Sequence, residues 1–283
     1  MKLIAMNQGL TKLPALTTSA KTYTEINLFN NQFKAFPAEI FQMERVEIFN
    51  ISANKITEIP DEISKLSQLK NIDFGHNKIK EIPESFFDLV NLKEYVYLHN
   101  NELKQLPDLF TQLPAIEYLN VSENELAELP ASIGSLNNLI ELRAMANELR
   151  SLPQAIGKLK QLRELHLRDN QLTRFVFPAS HWEKLRVLDV EKNSLSKFEV
   201  NFSITKNLQR INLRHNQLPS LPMEIGEAAS LIELDLRSNQ LRTLPKSLLE
   251  LENLQRLDLR WNHELVIPSW IADLGRKGCI VYC

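Results

Sequence analysis

The chain has 283 residues, 33 basic and 35 acidic, and its net charge of −2 gives no field that would draw it to nucleic acid or an anionic membrane. No stretch approaches the ~18 consecutive apolar residues of a membrane-spanning helix. The two cysteines, Cys279 and Cys283, would sit roughly 13 Å apart in an extended tail, too far for a mutual disulfide, so reduced thiols and a cytoplasmic home are expected.

Met1–Leu10 holds too short an apolar segment for a secretory signal, and a repeat begins inside it. Asparagine then returns every 23 residues, at Asn31, Asn54 and Asn77. After a single step of 24 it continues at Asn101, Asn124, Asn147, Asn170, Asn193, Asn216, Asn239 and Asn262. The same apolar frame surrounds each, L-x-x-L-x-L-x-x-N-x-L-x-x-L-P-x-x-I-x-x-L. A fixed period of this length marks a solenoid, whose core grows along one axis and so escapes the usual limit on domain size. Residues 1–283 therefore read as one domain of about 12 repeats, counting a first with Gln8 in the asparagine place.

Within a unit, Phe49 and Ile51 stand two apart and point to one side of a short strand, while Asn50 and Ser52 point to the other. Pro60, Ile63 and Leu66 follow at helical spacing, with the proline suited to a first helical position. Strand, turn and helical or 3₁₀ return, repeated in one sense, give parallel strands ~4.8 Å apart. Where the chain leaves the strand its backbone groups lose their ladder partners. An asparagine amide has the donors and the acceptor to pair them.

Three stretches depart from the frame. In the fifth unit, either Tyr95 and Tyr97 point inward with Asn100 in the ladder, or Val96 and Leu98 do with Asn101; the second keeps Asn101-Glu-Leu103 intact and buries aliphatics. Units eight and nine, Phe175–Trp182 and Phe198–Ile204, lack the proline, which predicts less regular outer segments with Trp182 in a leucine place. Residues 278–283 read as a truncated thirteenth strand with Ile280 and Tyr282 inward.

These residues and the leucine-proline steps at Leu13-Pro14, Ile59-Pro60, Leu106-Pro107, Leu152-Pro153 and Leu244-Pro245 carry a resemblance. The chain is similar to leucine-rich repeat proteins of the intracellular class with L-P-x-x-I-x-x-L repeats. That resemblance implies an α/β solenoid, a horseshoe with a parallel β-sheet on its concave face and short helical or 3₁₀ segments on its convex face. It also implies a scaffold, or the recognition part of a signalling or effector chain.

The residues six, four and two places before each asparagine form the face that a partner would meet. Phe29 lies early in it. Tyr95, Tyr97, His99, Tyr118, Arg143, Met145, His166 and Arg168 form a central cluster, of types enriched at interfaces; alternatively, exposed aromatics simply stabilise neighbouring strands. Arg214, Arg237 and Arg260 form a column with Trp261 beside it. The column is read as a zipper neutralised by Asp235 and Asp258, or else as a docking strip for carboxylates or phosphates. His76 and His99 beside Asp73 are weighed as metal ligands and set aside, because a sheet face offers no enclosed site. Glycine-rich phosphate loops, H-E-x-x-H, C-x-x-C and G-x-S-x-G are missing. The reading is a non-catalytic protein-binding module without cofactor or metal. The alternatives are the substrate-targeting arm of a larger enzyme or bacterial effector, and a structural solenoid that self-associates through uncapped ends.

Overall fold

The computed structural model describes residues 1–16, 19–177 and 181–283. They pack as two compact units, Met1–Leu139 and Ile140–Cys283, each built from the same repeat. In unit 1, β1 (Lys2–Ile4), β2 (Glu25–Asn27), β3 (Ile48–Asn50), β4 (Asn71–Asp73), β5 (Tyr95–Tyr97) and β6 (Tyr118–Asn120) lie side by side in chain order, all parallel. Unit 2 contains β7 (Glu141–Arg143), β8 (Glu164–His166), β9 (Arg174–Phe177), β10 (Val187–Asp189), β11 (Lys197–Val200), β12 (Arg210–Asn212), β13 (Glu233–Asp235), β14 (Arg256–Asp258) and β15 (Ile280–Tyr282). Its main sheet runs β7-β8-β10-β12-β13-β14-β15, again parallel.

The middle residue of each strand from β2 to β14 in these two sheets, such as Ile26, Phe49, Val96, Leu165 and Leu257, is buried, and its neighbours point to the open face. Two residues on, a second apolar side chain (Leu28, Ile51, Leu98, Leu167, Leu259) turns inward as well. Between it and the ladder asparagine, the chain passes through the left-handed region. Asn7, Asn30, Ala53, His76, Asn100, Glu123, Ala146, Asp169, Lys192, His215, Ser238 and Trp261 all have φ between 49° and 60°. Such a conformation costs a non-glycine residue roughly 1–2 kcal/mol, and a partner that holds the bend must offset it.

The asparagine is that partner. Asn54 donates from Nδ2 to the carbonyls of Leu28 (3.0 Å) and Ile51 (2.9 Å), and its Oδ1 accepts the Phe33 N–H at 3.0 Å. Asn77, Asn101, Asn124, Asn170, Asn193, Asn216, Asn239 and Asn262 donate to the equivalent two carbonyls. The fifth repeat settles its register by the same bonds. Asn101 is in the ladder, and Val96 and Leu98 are buried. Its extra residue is absorbed just before β5, where Lys93 and Glu94 both donate to the Lys70 carbonyl. Asn71 braces the distortion, donating to Glu94 and accepting from the Tyr95 N–H.

On the far side, most repeats return through five-residue 3₁₀ turns such as Asp61–Lys65 and Gln154–Lys158. The proline stands one place ahead of the expected position. Pro60 is extended, and its carbonyl accepts the first turn's N–H from Ile63 at 3.0 Å. Units eight and nine correct the expectation of irregularity, because without the proline β9 and β11 pair as a small parallel sheet of their own. Trp182 is fully buried there against Phe175 and Phe177, and its Nε1 donates to the Ile156 carbonyl at 3.1 Å. Residues 178–180 of that stretch lie outside the described residues.

The last segment also differs from expectation. After a short helix, α1 (Ile271–Arg276), β15 does pair with β14, but Val281 aligns with buried Leu257. Ile280 and Tyr282 therefore face outward, and Tyr282 lies under the guanidinium groups of Arg256 and Arg260 at 5.5 and 5.0 Å. The extra residue between Leu257 and Val281, compared with the 23-residue spacing, displaces the pattern by one place. Cys279 and Cys283 are both free thiols, and burial raises the pKa of Cys279.

Candidate binding surface on the open sheet face

The open face of each unit is built from the outward residues of three-residue strands. Its central column carries a rule that the sequence reading missed. Asn27, Asn50, Asp73 and Asn120 in unit 1 each accept, on Oδ1, the backbone N–H of the residue two places on. Asp189, Asn212, Asp235 and Asp258 do the same in unit 2. The N–H at the end of a short strand has no neighbour of its own to bond, and a carboxamide or carboxylate supplies one. Asparagine or aspartate recurring four places before the ladder position was the signal. Four repeats lack the acceptor, the first with Ile4 in its place. In the others, Tyr97 takes the place in unit 1, and Arg143 and His166 take it in unit 2.

In unit 1 these departures come with an aromatic strip. The Tyr95 and Tyr97 ring centroids are 4.9 Å apart, Tyr97 and His99 are 6.1 Å apart, and His99 meets His76 edge-on at 4.7 Å. Gly75 makes room for this, since a Cβ there would lie 2.4 Å from His99 Cε1. Tyr118 stands next to Tyr95 in register, and all four cluster residues are half-buried. Burial, and then the charges of Asp73 and Glu94, raise the pKa of the Tyr95 phenol. Phe29 is exposed near the other end of this face. Asp73 is taken up with Gly75 and Asn50, which leaves His76 and His99 in an edge-on ring contact rather than a metal set with it.

In unit 2, Arg143 donates to Glu141, and His166 Nε2 lies 3.0 Å from Glu164 and 3.8 Å from Glu141. Glu141, Glu164 and His166 are the group of described residues whose ligand atoms lie close enough to share a metal ion; Arg143 already supplies a cation to Glu141. Met145 is half-buried and Arg168 exposed. Beside them, burial raises the pKa of Asp189 more than the Glu191 N–H and the charges of His166 and Arg168 lower it.

The arginine column proves to be heavily paired. Arg237 donates to Asp235, and its Nε also lies 3.5 Å from Asp258. Arg260 holds Asp258 with two bonds, at 2.9 and 2.6 Å, and Arg256 reaches the same carboxylate at 3.5 Å and Glu233 at 3.3 Å. Asp258 is fully buried, yet these bonds and charges outweigh burial and hold its pKa below the usual value. Trp261 is on a left-handed turn, half exposed, with Arg260 5.4 Å above its ring.

Sequence profiles agree with this architecture. One described as a leucine-rich repeat region matches residues 88–211, and one described as a leucine rich repeat matches 22–79, 44–94 and 206–263. The chain is a leucine-rich repeat protein. No curated protein sequence matches it. Among solved structures it is similar to a leucine-rich repeat protein of Leptospira interrogans, at 28% identity and a TM-score of 0.68, over 98% of this chain and 82% of that one. It is also similar to the plant peptide hormone receptor RGFR1 in complex with RGF2, at 25% identity and a TM-score of 0.83, over 99% and 46%. A third is the leucine-rich repeat ectodomain of the Arabidopsis thaliana receptor kinase GASSHO1/SCHENGEN3 in complex with CASPARIAN STRIP INTEGRITY FACTOR 2, at 26% identity and a TM-score of 0.76, over 93% and 33%. The leucine-rich repeat chain thus spans less than half of each plant receptor chain. No helix among its described residues is long and apolar enough to cross a membrane.

Proposed function

We propose that this chain is a non-catalytic recognition module that binds a protein partner on its open sheet face. One observation carries the reading: the strand-end acceptor is given up at Tyr97, Arg143 and His166, where tyrosine, arginine and histidine stand in place of a stabilising amide or carboxylate. Departures from local consistency concentrate at functional sites, and these side chains combine contact area with polar handles. Leucine-rich repeats are a common protein-interaction fold, and two of the similar structures are receptor complexes, which supports the same reading.

The contact residues in this proposal are Tyr95, Tyr97, His99 and Tyr118 on unit 1 and Arg143, Met145, His166 and Arg168 on unit 2. Phe29 on unit 1 and the Arg214, Arg237, Arg260 and Trp261 strip on unit 2 complete the set. The two reduced thiols fit a cytoplasmic setting. Tyr97→Asn and Arg143→Asn test the surface, because asparagine is the residue used at the same place in neighbouring repeats. Both variants should melt at or above the wild-type temperature, since asparagine restores the strand-end acceptor, and bind the natural partner, isolated by affinity capture and then purified, at least about tenfold more weakly. Unchanged affinity in both would move the contact surface elsewhere.

A further inference from the structure

The ion pairs on unit 2 show which arginines remain open to a ligand, and they are not the ones that a column of like charges suggests. Arg237, Arg256 and Arg260 share Asp235, Asp258 and Glu233 among them. Arg210, exposed on β12, has no ion pair or side-chain hydrogen bond among the described residues. Arg214, two residues past the end of the same strand, keeps one longer contact with Glu191 at 3.7 Å, and its Nε–H is buried with no acceptor. Asn212 between them is occupied, donating to Glu191 and accepting from the Arg214 N–H.

We propose that Arg210 and Arg214 form a docking pair for two carboxylates of an extended acidic segment of a partner protein. The proposal rests on the open face being the binding surface and names the chemistry one part of it takes. Four residues of extended chain set the two arginines roughly 13 Å apart, the spacing of side chains four apart on a partner strand running alongside. The Arg214 side chain is about one-third exposed, so a carboxylate arriving from solution meets its terminal Nη groups, which can form the two-bond guanidinium pair that arginine favours. Arg210 has Val187 on one side in register and Glu233, already held by Arg256, on the other. Carboxylates fit better than phosphomonoesters, because Glu191, Glu233 and Asp189 border the pair and repel a dianion more than a monoanion. The chain's net charge of −2 supplies no field that would draw a polyanion, which favours a protein segment over a nucleic acid.

The test titrates the full chain with a capped peptide bearing two glutamates four residues apart, and with its diglutamine twin. The readout is the Arg214 Nε–Hε resonance by NMR. The diglutamate peptide should give a saturable shift that weakens with added salt, and the diglutamine peptide none. Arg210→Gln should weaken binding by about fivefold, while Arg242→Gln, whose exposed arginine pairs with Glu264 away from the proposed contact residues, should leave it within about twofold. Equal behaviour of the two peptides, undiminished affinity in an Arg210→Gln/Arg214→Gln double variant, or tighter binding of a single-stranded oligonucleotide of equal charge would each overturn the assignment. Such a failure leaves the partner measurement with Tyr97→Asn untouched, so the two readings fall separately.

Discussion

Asn77 donates from Nδ2 to the carbonyl of Ile51, 3.1 Å away and 26 residues earlier in the chain. The same amide donates to the Phe74 carbonyl at 3.1 Å and accepts the Ile56 N–H at 2.9 Å. One side chain thereby satisfies backbone groups of two successive turns.

Asn77→Leu keeps the volume and removes all of these bonds. At ~1–3 kcal/mol for each buried group left unpaired, partly offset by relaxation, unfolding free energy should fall by about 2–4 kcal/mol. Urea denaturation checks this, and an unchanged midpoint would remove the amide ladder as the source of stability.

Ala53 precedes a ladder asparagine at φ 54°, where an alanine gains nothing from its side chain and carries the left-handed strain. Ala53→Gly should raise stability by about 0.5–1 kcal/mol, the relief of strain exceeding the extra entropy of glycine in the unfolded chain. A lower melting temperature would mean that the turn tolerates Cβ without strain.

Asp258 should govern acid stability in unit 2. Burial opposes its ionisation, but the Arg260 hydrogen bonds and the charges of Arg237 and Arg260 prevail and lower its pKa. A carboxylate depressed in the folded state stabilises above its unfolded pKa near 3.9 and loses that contribution as pH falls through the lower folded value. Asp258→Asn should cost about 2 kcal/mol at neutral pH, since the arginines keep partial solvation. The gap from wild type should close only at strongly acid pH, as read from melting temperature against pH.

Asp189 has the opposite sign. Its pKa is raised, chiefly by burial, so the folded state pays for its ionisation at neutral pH and regains that cost as the carboxyl protonates. Asp189→Asn retains the acceptor for the Glu191 N–H and should raise the melting temperature near pH 7. The advantage should shrink as pH falls through the Asp189 pKa, and a variant less stable than wild type at pH 7 would contradict this account.

Much of the architecture was legible because its cause is periodic. The asparagine spacing gave the repeat, the two-residue alternation of Phe49 and Ile51 gave the buried face, and the choice between Asn100 and Asn101 followed from keeping one motif intact. What escaped was set by single-residue offsets or by pairing in space. One extra residue before Val281 turned Tyr282 outward. The loss of a proline let β9 and β11 pair, which no local pattern announces. Arg210 was passed over because its availability is visible only once the carboxylates around Arg237, Arg256 and Arg260 are assigned. The recurring Asn27, Asn50 and Asp73 were in view as surface residues. Their strand-end role emerged only from the bonds their side chains make.

Ladder amides such as Asn54 reach back 26 and 21 residues, and Asn101 of the longer fifth repeat 27 and 22, to groups that the neighbouring turns supply in the same places. Excising or duplicating one whole 23-residue cassette therefore rejoins equivalent donors with equivalent acceptors, whichever cassette is chosen. Such a gene can lengthen or shorten by recombination without inventing new chemistry, and the outward letters remain free to be rewritten afterwards.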